Sequence, residues 1–264
     1  MKRVLGTIIL IIAIICFGWS AFSLGKYAWQ TWTTQKNLDN LADKVNNDTI
    51  SIPDTDKESG ESEDPVSESE AMMEKYGELY KENKDFIGWL SVEGTKINYP
   101  VMYTPNDPEY YLRKNFDGDY DIGGMLFVDA RCTFNPTSTD TIIYGHHMNN
   151  GTMFGPLMDF QDNDYLKKHT TITFDTMYRP GTYKIFASFQ SKAYDPDSEE
   201  FKYYDFINAE TSYDFEEYLN NIKNLSLYYD EESAPSFGDE IITLSTCDYY
   251  TTDGRFAVLA KRIK

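Results

Sequence analysis

The chain reads as a mainly β domain with added helices, carried behind an N-terminal membrane-spanning helix. Three observations point that way. A charge-free apolar run opens the chain, an acidic stretch without apolar period follows it, and from residue 85 onward short alternating or apolar runs recur between turn signals. A strand-rich chain of 264 residues closes into a barrel or stacks as a sandwich.

The opening run is "VLGTIILIIAIICFGWSAFSL", 21 residues without a charged side chain. At about 1.5 Å per residue it spans roughly 30 Å, enough for a bilayer core. Lys2 and Arg3 ahead of it favour a cytoplasmic N-terminus, and Tyr27, Trp29 and Trp32 suit the outer interface. A cleaved signal peptide is the other reading. The run is longer than a typical signal-peptide core, and no A-x-A site follows it. Residues 1–33 are therefore read as a cytoplasmic N-terminus and transmembrane anchor, with everything beyond them outside the cell.

Residues 34–70 are polar and acidic and are read as a flexible linker. A helix is expected from Ser67 or Ser69, because Ser67 and Glu70 have capping-box spacing. Met72 or Met73, Tyr76, and Leu79 or Tyr80 then share one face. Residues 71–264 form the extracellular domain. Its strand runs are "WLSVEG", "KINYPVMY", "GMLFVDA", "TIIYG", "TITFDT", "TYKIFASFQSKAY", "EIITLST" and "RFAVLAKRI", which read as seven or eight strands. Two helices interrupt them. "NDPEYYLRKNF" offers Asp107 as N-cap and Pro108 at the first helical position. "TSYDFEEYLNNIKNL" spaces Phe215, Tyr218, Leu219 and Ile222 along one helical stripe.

The formal net charge is −19, and no basic patch stands out, which argues against nucleic acid as a partner. The chain holds three cysteines (Cys16, Cys132, Cys247) and three histidines (His146, His147, His169), so any Cys–His chemistry has few candidates. Alternation along "EIITLSTC" puts Thr243, Ser245 and Cys247 on one face, with the thiol at the strand end. Seven residues, "DYYTTDG", then lead to Arg255. With Asp253-Gly254 as a turn signal, Cys247 would end one strand and Arg255 open its neighbour. Nearby positive charge favours a thiolate. His146 and His147 close a third strand, "TIIYGHH". An imidazole beside a thiol transfers protons near neutral pH, which suits acyl transfer through a thioester. Taken singly, Cys247 reads as a buried inert thiol and Arg255 as a surface charge; it is their shared context that points to chemistry.

Metal is disfavoured, because adjacent histidines in a strand point to opposite faces and no zinc-like spacing exists. "DGDYDIGG", residues 117–124, fails the EF-hand pattern, with Ile122 and Val128 where Gly and Glu are needed. No P-loop or dinucleotide-binding glycine motif is present, and no cofactor is expected. Cys132 and Cys247 leave one disulfide open as a reading.

"TLSTC", an arginine eight positions on and "YGHHM" about one hundred residues earlier together resemble a class B sortase. The resemblance spans most of residues 70–264. It implies a closed eight-stranded β-barrel with added helices on the outer face of a Gram-positive cell, acting as a cysteine transpeptidase. By position it implies Cys247 as nucleophile, His146 as catalytic histidine and Arg255 as catalytic arginine. It further implies Asn106, Leu112 and Ser245 as substrate-binding residues, and a class B insertion at about residues 192–225. The implied partners are secreted proteins with a C-terminal sorting signal, cut at a Thr–Gly type bond, and a lipid-linked peptidoglycan precursor amine. Two alternatives stand beside it. One is a membrane-tethered cysteine peptidase, disfavoured in its papain-like form because His146 precedes Cys247. The other is a non-catalytic surface binding protein.

Overall fold

The structure is a computed structural model that describes residues 2–47, 67–248 and 251–264. Among the described residues, nine strands form one sheet: β1 (Phe86–Val92), β2 (Asn98–Met102), β3 (Leu126–Val128), β4 (Asp140–Tyr144), β5 (Thr171–Thr176), β6 (Thr182–Lys192), β7 (Ser226–Tyr229), β8 (Ile241–Cys247) and β9 (Gly254–Arg262). Their order is β5-β1-β2-β3-β4-β8-β9-β6-β7, and a further pairing of β5 with β6 closes the ring. Eight strands thus make a closed barrel, and β7 is an added strand outside it. Two neighbouring pairs, β2–β3 and β4–β8, are parallel, while the other pairs are antiparallel. The added strand, "SLYY", follows directly on a helix and carries no alternation that would reveal it.

The barrel interior is filled by Leu90, Val101, Leu126, Ile143, Ile172, Leu244 and Val258, among others. A second apolar cluster lies on the outer side of β6, β8 and β9, built from Phe186, Phe189, Ile241 and Leu259. Neither face of β8 meets water, which explains why its run is almost wholly buried rather than half polar.

The described residues also form four α-helices: α1 (Lys2–Asn47), α2 (Glu68–Glu82), α3 (Asn163–Leu166) and α4 (Ser212–Leu225). Ser67 caps α2 in the expected capping box with Glu70. The helix buries Met72, Tyr76 and Leu79, and is tied to β5 where Tyr76 OH and Lys75 Nζ each donate to Asp175 at 2.8 Å. Thr211 caps α4 through a box with Asp214, and Phe215, Tyr218 and Ile222 close the outer cluster as their spacing predicts.

Two expectations are corrected. "NDPEYYLRKNF" forms only a 3₁₀ turn, Tyr110–Arg113, and Asp107 does not cap it by side chain. Its bonds are of the tighter i to i+3 type, such as Leu112 N–H to Glu109 O, and Lys114 leaves it extended to bridge Tyr120. The second correction concerns the linker. The helix expected to end by residue 33 runs on to Asn47, so residues 34–47 are not a flexible tether. No Gly or Pro interrupts residues 26–47, and Thr34, Leu38 and Leu41 recur at helical spacing. They are buried where α1 meets β2 and α2. Thr34 donates its hydroxyl to Asp121, and Lys44 meets Glu82 at 2.6 Å. Residues 48–66 of the expected linker lie outside the described residues. Among the described residues, α1 is the one helix long and apolar enough to cross a bilayer, and its large apolar side chains from Ile9 to Leu24 are exposed.

Candidate active site

The parallel β4–β8 pair fixes the geometry. Tyr144 lies opposite Ser245 in that ladder. His146 stands two residues beyond Tyr144 and Cys247 two beyond Ser245, so both leave the barrel at one end. Gly145 N–H donates to Ser245 O at 3.1 Å, and Thr246 Oγ1 donates to Gly145 O at 2.8 Å. These bonds stitch the two strand ends together. On the other flank of β8, Cys247 is the direct ladder partner of Arg255 in β9.

The three side chains line one cleft of about 320 Å³, together with Leu112, Phe127, Asp129 and Tyr144. A Cβ on Gly145 would lie 2.4 Å from Leu126 and 2.6 Å from Phe154, both fully buried. Glycine is therefore required for the chain to pass from β4 to His146.

His146 is half-buried, and its Nε2 lies 2.8 Å from Leu112 O. A carbonyl only accepts, so Nε2 carries the proton and Nδ1 is the basic nitrogen. Burial pushes the imidazole below its ordinary pKa; the Leu112 bond opposes this, and the Arg113 cation adds to it. Leu112 reaches this position because the loop behind it folds tightly. Gly124, at φ +57°, passes so close that a Cβ would lie 2.5 Å from Leu112 O.

Arg255 is partly buried and donates Nη1 to Gly254 O at 2.9 Å. Cys247 is free and partly exposed. Cys132 is free and fully buried, and burial pushes its thiol up to about 12, so it stays protonated at neutral pH. The disulfide left open by the sequence is absent, since both cysteines are free.

The structure brings Leu112 and Ser245 to the cleft with the three. Ser245 is wholly buried, with its hydroxyl 2.6 Å from Tyr203 OH. Asn106 is exposed on the preceding turn and does not line the cleft. Sequence reasoning missed Asp129 and Tyr144. Tyr144 OH donates to Asp129 Oδ2 at 3.0 Å, and Arg131 forks onto both carboxylate oxygens. Burial pushes the Asp129 carboxyl up, but the Arg131 bonds prevail and hold it below the usual range. For Asp129 the signal was the short spacing to Arg131 in "DAR"; Tyr144 stands in the "YGHHM" run, where it was given no role. His147 and His169 do not line the cleft, and among the described residues no cluster of three or more His, Cys, Asp or Glu could hold a metal.

A sortase-domain family model matches residues 90–263. Sortase B of Listeria monocytogenes is 31% identical over 248 residues, covering 94% of this chain and 92% of that protein. Sortase B of Staphylococcus aureus is 32% identical over 197 residues, covering 74% and 77%. Among solved structures, a sortase B complexed with triglycine superposes with a TM-score of 0.73 at 27% identity, covering 89% of this chain and 99% of that one. A Staphylococcus aureus sortase B–substrate complex gives 0.70 at 27% identity, covering 89% and 98%.

Proposed function

The chain belongs to the sortase family, as a class B sortase and cysteine transpeptidase, and from that premise we propose that Cys247, His146 and Arg255 carry its chemistry. The observation behind this assignment is the single cleft these three side chains line, at the shared end of β4, β8 and β9.

Neutral His146 takes the thiol proton as the Cys247 sulfur attacks the carbonyl carbon of a Thr–Gly type bond in a sorting signal. The carbonyl π electrons move to oxygen, and Arg255 stabilises that oxyanion. The C–N bond then breaks, and the imidazolium protonates the departing amine. This leaves a thioester on Cys247. An acceptor amine attacks the thioester, His146 removes its proton, and the thiol returns as leaving group. Support for a peptide donor and an amine acceptor comes from the solved sortase B structures in complex with substrate and with triglycine.

For this protein we propose a cell-wall precursor amine as acceptor. The apolar part of α1 would anchor the chain with its N-terminus in the cytoplasm and the barrel outside. Confinement at the membrane raises the effective concentration of a lipid-linked acceptor over water. Leu112 would line the sorting-signal groove. Ser245 and Asn106 are weaker candidates, the first for its bonded hydroxyl and the second for its distance from the cleft wall.

The test is transfer of a Thr–Gly sorting peptide to triglycine. The reading requires product that depends on the amine and is lost in Cys247→Ala. Equal activity in Cys247→Ala would refute it.

A further inference from the structure

The cleft contains polar groups that the protein itself already engages. Asp129 Oδ1 accepts from Arg131 N at 3.0 Å and from Arg131 Nε at 2.9 Å. Its Oδ2 accepts from Arg131 Nη2 at 2.7 Å and from Tyr144 OH at 3.0 Å. A carboxylate whose two oxygens each accept two hydrogen bonds has little capacity left for a ligand. The Ser245 hydroxyl is bonded to Tyr203 OH at 2.6 Å.

These bonds share one destination. Arg131 continues past Asp129 to Tyr204 O and reaches Asp205 at 3.4 Å. Tyr203, Tyr204 and Asp205 form one 3₁₀ turn in the excursion between β6 and α4. Tyr203 is 1% exposed, its ring packs against Phe189 at 5.1 Å and its hydroxyl holds Ser245. One turn therefore grips β8 through Ser245, and β4 through Arg131, Asp129 and Tyr144. Tyr144 and Ser245 are ladder partners, each two residues ahead of His146 and Cys247.

We propose that Arg131 and Tyr203 are positioning residues for the transpeptidation, and that the 203–205 turn is a clamp setting the placement of His146 relative to Cys247. The inference rests on the assignment of those two residues as the catalytic pair. The strand ends are joined by the backbone ladder and by the single Thr246–Gly145 side-chain bond, and the 203–205 turn braces Tyr144 and Ser245 from outside. Side chains locked by packing and by fully used hydrogen bonds hold such ends within the roughly half an ångström that productive geometry demands. Arg131 suits this role better than lysine would. Its planar fork engages the carboxylate and the Tyr204 carbonyl at once, whereas an ammonium is a single point.

The experiment uses the full-length protein in detergent. Arg131→Lys, Tyr203→Phe and the double variant are compared with wild type for kcat and KM, for the pH profile of kcat/KM, and for thermal midpoint. Each single variant should lower kcat about tenfold or more, with KM within about twofold and a displaced pH profile. The double variant should lose little beyond the worse single, because both changes open the same clamp. The proposal is overturned if kcat and the pH profile stay at wild type, or if kcat falls only by the folded fraction lost. Multiplying losses in the double variant would also overturn the shared clamp. Cys247→Ala, run alongside, separates the two failures. An inactive Cys247→Ala with unaffected clamp variants sinks the clamp alone, while an active Cys247→Ala sinks the catalytic assignment beneath it.

Discussion

His146 donates its Nε2 proton to the backbone carbonyl of Leu112 at 2.8 Å, in a turn that sits beside it in space but 34 positions earlier in sequence. The imidazole is thus oriented by main chain rather than by a carboxylate. Nothing at Nε2 offsets the cost of a buried positive charge except a neutral dipole.

The first prediction follows from that balance. With burial and Arg113 prevailing, His146 titrates below the ordinary value of about 6.5 and is neutral at pH 7. The acid limb of kcat/KM should therefore lie below about pH 6.5. Arg113→Gln removes the cation and should move that limb upward in pH, as an NMR titration of the imidazole would also record. Stability shares the sign. The unfolded state binds the proton first, so His146 contributes stability above about pH 6.5 that is lost as pH falls through its folded pKa.

Gly145→Ala should be disruptive although the change is one methyl group. The new Cβ meets Leu126 and Phe154, both fully buried, at well under contact distance. Destabilisation of about 1–3 kcal/mol is expected, together with displacement of His146. Thermal unfolding and kcat measured together check this; a variant with wild-type values for both would contradict the account of the β4 exit.

The docked end of α1 makes a stability prediction. Leu38 is 3% exposed, and Leu38→Ala should cost about 2–4 kcal/mol by chemical denaturation. Lys44→Ala breaks only the exposed ion pair with Glu82 and should cost less than about 1 kcal/mol. If residues 34–47 were a solvated tether, Leu38→Ala would be as mild as Lys44→Ala.

Arg255→Lys keeps the charge but loses the fork, and Arg255→Ala loses both. If the guanidinium meets developing oxyanion charge, kcat should fall about 10²–10³-fold in Arg255→Ala and remain well below wild type in Arg255→Lys. A fall in affinity with kcat intact would instead make Arg255 a ground-state binding residue.

Legibility in the sequence followed locality. The β8–β9 hairpin could be read because strand, turn and strand are contiguous, and it places Cys247 opposite Arg255. The Ser67–Glu70 capping box could be read because it closes within four residues. What escaped is set by distant partners. Thr34, Leu38 and Leu41 carry a helical stripe, but a polar, acidic setting hid it until Asp121 and β2 supplied the other side. Tyr203 and Arg131 look like one tyrosine and one arginine among many; the register of β4 against β8 gives them their place. Ser245 does reach the cleft, as its strand position implies, but its hydroxyl is committed to Tyr203, a partner 42 positions away.

The central claim is that Cys247 carries the acyl group between donor and acceptor. Incubating the protein with a sorting peptide and no amine, quenching in acid and mapping the digest by mass spectrometry tests it most directly. The account predicts an added mass equal to the peptide up to its threonine, on the fragment holding Cys247, and discharged by triglycine. Product formation with Cys247 never modified, or with the acyl group on Cys132, would contradict it.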